Sequence, residues 1–309
     1  MLIGFLARAG RNARWILSIG SVVALFTPGL AEFLRPALPA LVSMVYALAM
    51  ARIDLGATLR AAIRPRRLAQ LAGIAVLLLP VTALVYGLVG RAFGPEVAAT
   101  LVYVAAAPPI ASCAGLCFLL GFNARLALEV TVATTLMTPV LGPLAVAIAL
   151  PGAEAALEPL ALAQRLFLMI LGGILGALLI RRLVGAGRIA ASGQVFDGVA
   201  AFGMLLFVFP LFDRVGALIL EDPGRAMFIL VLGFVLNIGA NLATRAALGS
   251  RLPAAEAGAA GILMGNRTIA MYLAALPFEP VLALFVALYQ YPMYFTPLLL
   301  ARLRIPPAA

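Results

Sequence analysis

Apolar runs of about the length needed to cross a bilayer as a helix, roughly 20 residues, recur along the whole chain. Short loops carrying arginine, glycine and proline separate them. The pattern predicts spans at about Trp15–Leu34, Ala37–Arg52, Leu68–Val89, Val97–Gly121, Leu126–Leu150, Leu160–Ile180, Val195–Phe212 and Ala226–Leu248, a ninth around Gly261–Leu276, and a tenth at Val281–Leu300. Arg8, Arg11 and Arg14 precede the first run, as in a signal peptide. That run exceeds a signal core in length and further spans follow it, so it reads as a first span.

Two of these runs are interrupted. Gly261–Leu276 reads GILMGNRTIAMYLAAL, with Gly265, Asn266, Arg267 and Thr268 in its middle. Unpaired backbone polar groups in hydrocarbon cost several kcal/mol each, so such a break belongs where it lines a protein cavity. Cut at Gly265, the run becomes two half-helices, the second opening near Asn266 with its positive dipole end turned into that cavity. Ala107–Gly121 (APPIASCAGLCFLLG) breaks at Pro108 and Pro109, with Ser112 placed to cap or line the following half-helix. Two interrupted spans at corresponding positions of two halves point to a transporter's binding site.

Composition narrows the class. Of 309 residues, 64% are hydrophobic and 11% charged, against about 25% charged in a soluble domain. The net charge of +10 is carried by arginine, and there is no lysine. In a soluble chain that balance would suggest nucleic acid; here the arginines flank apolar runs, which points to topology and anionic lipid instead. The absence of histidine removes histidine-based catalysis and most transition-metal sites. Cys113 and Cys117, one helical turn apart inside a span, are packing residues rather than a disulfide framework. With no nucleophile beside a base and no metal cluster, no enzyme is expected.

Alternating the sides of ten spans places sixteen of the twenty-two arginines with both termini and five opposite, with Arg267 inside the membrane. The positive-inside rule then puts both termini in the cytoplasm. Five spans per half give the halves opposite topology, with the breaks in the fourth span of each. The expected fold is an all-α polytopic membrane protein, a single domain over 1–309. It contains two inverted five-helix repeats, about 15–150 and 160–303, with broken, crossing spans four and nine.

At these residues the chain resembles the bile acid:sodium symporter family over most of its length. Met50–Pro80 (MARIDLGATLRAAIRPRRLAQLAGIAVLLLP) resembles that family's second-to-third span. Pro108, Ser112 and Gly121 sit like its first crossing segment, and Asn266 falls where its ninth span has Gln-Asn-Ser. The resemblance implies a panel of spans one, two, six and seven moving against a core that holds the crossed helices. It also implies two sodium sites. Carried across, Ser112 and Thr131 are kept, but the neighbouring asparagine is Cys113, and the ninth-span glutamate and glutamine fall at Gly261 and Gly265. The span-five serine and span-three glutamine fall near Ala127 and Ala75. Sodium wants several hard oxygen ligands, so these losses argue against sodium coupling.

Two charges stand where those ligands thin out, Arg267 and Glu129. An intramembrane charge is expensive and functional by default. Arg267 would replace the cation, holding the crossing together or meeting the substrate's anionic group. Alternatively it pairs with Glu129 or bonds to helix-end carbonyls. Glu129 stands four residues after Arg125 and can pair with it.

The expected substrate-binding set is Asn266, Arg267, Thr268, Ser112, Pro108, Pro109, Cys113, Gln290 and Tyr294. The residual cation or coupling set is Ser112, Thr131, Glu129, Gly261 and Gly265. The function expected is secondary transport of a small or amphipathic organic anion in a bacterial inner membrane. A proton, nothing, or residual sodium would be the coupling ion; no cofactor, bound metal or nucleic acid is implied. The alternative is a non-transporting membrane receptor or regulatory protein that retains the fold.

Overall fold

The computed structural model describes residues 2–62, 64–151 and 157–305. In chain order its helices are α1 (Leu2–Arg11), α2 (Ala13–Leu25), α3 (Pro28–Ala51), α4 (Leu55–Ala62), α5 (Pro65–Phe93), α6 (Pro95–Ala106), α7 (Cys113–Leu120) and α8 (Ala124–Ala149). Then come α9 (Pro159–Val184), α10 (Ala186–Ala191), α11 (Gly193–Leu211), α12 (Val215–Glu221), α13 (Pro223–Leu248), α14 (Ala254–Gly265), α15 (Ala270–Ala275) and α16 (Pro280–Leu299). Among the described residues there is no strand. Seven helices (α3, α5, α8, α9, α11, α13 and α16) are long and apolar enough to cross a membrane. Trp15–Leu25, α6 and α14 are shorter apolar helices. The chain is an all-helical, multi-pass membrane protein.

Proline sets many of the starts. Pro28, Pro65, Pro95, Pro159, Pro223 and Pro280 all stand in the first helical positions, where a missing N–H costs nothing and the fixed φ already suits a helix. Asn123, Asp222 and Glu279 cap helices α8, α13 and α16 through side-chain oxygens that accept first-turn N–H groups. At the end of α7, Gly121 adopts φ 71°, and the Phe122 N–H reaches back to the Cys117 carbonyl at 2.8 Å. Only glycine suits that left-handed turn without strain.

The N-terminal expectation needs correction. No helix runs over 15–34; α2 ends at Leu25, and Pro28 opens α3, which continues to Ala51. Spans at Trp15–Leu34 and Ala37–Arg52 would place a turn at Arg35-Pro36. A single 3-10 turn over Arg35–Ala37 absorbs Pro36 and Pro39 instead, while Thr27-Pro28 supplies the real break. Glu154, between the expected fifth and sixth spans, lies outside the described residues.

Small residues let the helices approach closely. A Cβ at Gly173 of α9 would lie 2.6 Å from the Tyr46 Cβ of α3, and one at Gly176 would lie 2.8 Å from the Ala47 Cβ. The Ser43 hydroxyl donates to the Met169 carbonyl across the same seam at 3.0 Å. This is small-residue packing of the kind membrane helices use in place of a hydrophobic drive. Helix α11 packs on α1, α2 and α3, and a Cβ at Gly198 would collide with the Leu6 carbonyl at 2.1 Å. Around the remaining helices, α16 is the most enclosed, with every residue from Val281 to Gln290 buried.

Helices α5 and α13 each contain a π segment, Leu77–Val81 and Val235–Gly239. In the first, Pro80 lacks an N–H, and the Thr82 N–H reaches back five residues to Leu77 rather than four to Leu78. That leaves the Leu78 carbonyl available to another donor.

Candidate functional site

The two interruptions meet. Between α6 and α7 the chain runs through Pro108 and Pro109; between α14 and α15 it runs through Asn266 and Arg267. Pro109 and Arg267 form an antiparallel bridge. The Ile110 N–H donates to the Asn266 carbonyl at 3.0 Å, and the Thr268 N–H to the Pro108 carbonyl at 2.8 Å. The backbone polar groups freed by the two breaks thus satisfy each other, as a low-dielectric interior demands. Side chains tie the same point: the Thr268 hydroxyl donates to the Pro109 carbonyl and the Tyr272 hydroxyl to that of Ala106. The Cys113 sulfur faces the Ile262 and Asn266 carbonyls at 3.9 Å each.

Asn266 is fully buried within a polar network. Its amide donates to the Ile262 carbonyl, and its oxygen accepts from Asn237 and Thr296. Asn237 also donates to the Gly265 carbonyl, as does the Tyr289 hydroxyl. The last carbonyls of α14 are therefore met by side chains from α13 and α16.

Arg267 is only 2% exposed. Its Nε donates to the Met264 carbonyl at 3.1 Å, Nη1 to that of Ala107 at 3.0 Å, and Nη2 to that of Leu78 at 3.0 Å. Two of these acceptors close the C-terminal ends of α6 and α14, and the third is the carbonyl released by the π turn of α5. Among the described residues, no ion pair includes Arg267. Glu129, on α8, is held elsewhere. It accepts from Arg67 Nε at 2.9 Å and Arg125 Nε at 3.0 Å.

Gly261 and Gly265 owe their identity to packing. A Cβ at Gly265 would lie 2.2 Å from the Asn237 carbonyl oxygen, and one at Gly261 2.7 Å from that of Asn241. Side chains at these positions would push α14 off the backbone of α13. Thr131 is buried with no partner for its hydroxyl among the described residues, and both amide atoms of Asn241 are in the same state.

Other expected site residues stand apart. Ser112 is exposed, and its side chain makes no cap bond. Gln290 donates to Val286 on its own helix at 3.1 Å, and Tyr294 packs half-buried on the main apolar cluster. Helix α15 is six residues long, so its dipole is much smaller than that of a full half-span.

Beside the crossing lies a cavity of about 50 Å³ lined by Tyr46, Met50, Val132, Thr135, Ile170 and Ile174, with helices α3 and α9 on one side and α8 on the other. The Tyr46 hydroxyl lies beside those of Thr135 and Thr268, yet neither Tyr46 nor Thr135 completes a hydrogen bond there. Such a space is far below the several hundred Å³ of a ligand pocket. A larger hollow of about 460 Å³ lies between α3, α9 and α11, near Arg188 and Phe196. No expected site residue lines it.

Sequence reasoning passed over Tyr46 and Thr135, whose letters are ordinary for an apolar helix. It also counted Arg35 and Arg165 only for topology. Arg35 donates to the Leu273 carbonyl at 3.2 Å and Arg165 to that of Ala275 at 2.6 Å. Cations from α3 and α9 thus hold the C-terminal end of α15. Arg165 stands inside an expected span, which was the available signal.

No model of a known protein family matches the chain, and no curated protein matches it either.

Proposed function

We infer that this protein is a secondary transporter that moves a small or amphipathic organic anion by alternating access. One observation carries the reading: two interrupted helices meet inside a membrane protein and close their broken backbones on each other, with a small, mostly apolar cavity beside them. Discontinuous helices meeting in this way are the usual construction of a transporter's binding site. The hydroxyls of Tyr46 and Thr135, buried there without partners, would donate to the anion. The cavity is too small for an organic ion. The pair α3 and α9, together with α11, would therefore rock against the crossing to admit substrate, in two inverted five-helix repeats with both termini cytoplasmic.

The test is counterflow in proteoliposomes across a panel of carboxylates and sulfonates. Saturable exchange, reduced in Tyr46→Phe and Thr135→Ala, supports the reading. Saturable binding without exchange of any bound anion would instead make the protein a membrane receptor.

A further inference from the structure

The environment of Arg267 is that of a bound cation. Three main-chain carbonyls from three separate segments (Leu78, Ala107 and Met264) converge on its guanidinium at 3.0–3.1 Å. Two of them lie at helix C-termini, where the backbone dipole presents negative charge. Rings of carbonyl oxygens and converging half-helix ends are how membrane proteins hold alkali cations at broken helices. A buried guanidinium without a carboxylate would otherwise be prohibitive. Here the carbonyls and dipole ends offset its charge, and its N–H groups satisfy carbonyls that the two breaks and the π turn would leave bare.

We propose that Arg267 is a tethered cation occupying a monovalent-cation site, so that the crossing is held closed by a covalently supplied charge and needs no exchangeable ion. The inference takes the crossing as the working site of the transporter read above. Its consequence for that reading is transport of the organic anion alone, with neither sodium nor a proton required. Its consequence for the protein is that removing the side chain leaves a vacant site for a free cation.

The test uses the full chain in detergent and needs no substrate, so it can fail or succeed independently of the transport reading. Thermal unfolding is followed for the wild type, Arg267→Ala, Arg267→Lys and Arg267→Met while methylguanidinium chloride or sodium chloride replaces choline chloride at constant ionic strength. Arg267→Ala is expected to melt lower than the wild type in choline and to regain Tm saturably with methylguanidinium, more weakly with sodium. The wild type and Arg267→Lys should respond to neither. If Arg267→Ala cannot be purified, the comparison of lysine with methionine decides: the charged variant should melt above the apolar one. An Arg267→Ala variant as insensitive to added cations as the wild type would overturn the proposal. So would an Arg267→Met variant as stable as Arg267→Lys, or a saturable sodium-specific rise in the wild type.

Discussion

Arg267 Nη2 donates to the main-chain carbonyl of Leu78 at 3.0 Å, joining residues 189 positions apart. The bond exists because the π turn before Thr82 leaves that carbonyl without its α-helical donor. Replacing Pro80 with alanine would ordinarily stabilise a helix interior. Here the restored N–H favours a regular helix, in which the Thr82 amide competes for Leu78. Pro80→Ala is therefore expected to destabilise by about 1.5–3 kcal/mol, the worth of a hydrogen bond to a charged group. Unfolding in detergent checks the sign, and a stabilised variant would show that the π turn does not serve Arg267.

The glycines of α14 provide a sharper contrast. Gly265→Ala places a methyl group 2.2 Å from the Asn237 carbonyl oxygen, and backbone cannot yield as a side-chain tip can. It should cost at least about 3 kcal/mol. Gly73→Ala meets nothing within 4 Å and should be neutral or stabilising by up to about 1 kcal/mol. Melting both variants side by side separates close packing from the general effect of adding a methyl group.

Glu129 bridges Arg67 on α5 and Arg125 on its own helix, so it serves as a latch between α5 and α8. Glu129→Gln should lower stability by about 1–2 kcal/mol, because a buried partner is lost while the two arginines keep access to water. The pH profile of organic-anion flux should be unchanged. A profile flattened by the substitution would instead make Glu129 a proton carrier.

Outside the spans, Glu279 caps α16 from a half-buried position. Burial, with Glu96 nearby, raises its pKa above the usual 4.5, while the first-turn N–H groups and Arg225 oppose the shift. A carboxyl with a raised folded-state pKa binds its proton more tightly when folded. Its contribution to stability is therefore full below the ordinary value and is lost as pH rises through the raised one. Between pH 4 and pH 7 the melting temperature should fall more steeply for the wild type than for Glu279→Gln. Equal slopes would assign the pH dependence to other groups.

The break points were legible because proline pairs and a Gly-Asn-Arg-Thr run have no business inside a lipid-exposed helix. That Arg267 bonds to helix-end carbonyls was one of the readings open from the sequence. Which carbonyls was not legible, because no residue letter reports a backbone acceptor, least of all that of Leu78 from the π turn. For the same reason Gly261 and Gly265 read as lost ligands. What fixes them is the neighbouring backbone of Asn237 and Asn241, visible only once α13 and α14 are side by side. Glu129 was half legible: Arg125 stands four residues before it, whereas Arg67 arrives from 62 positions away. The first span was misplaced because Arg35-Pro36 looks like a polar turn, yet a single 3-10 turn carries the helix past it.

Movement of α3 and α9 against the crossing is the central requirement, and a reversible cross-link tests it most directly. Val132 on α8 and Ile170 on α9 line the same cavity. With both changed to cysteine in a background lacking Cys113 and Cys117, a bifunctional thiosulfonate should bridge them. Counterflow of the organic anion in proteoliposomes is expected to stop on cross-linking and return on reduction. Undiminished counterflow through the cross-linked protein would contradict alternating access at this interface.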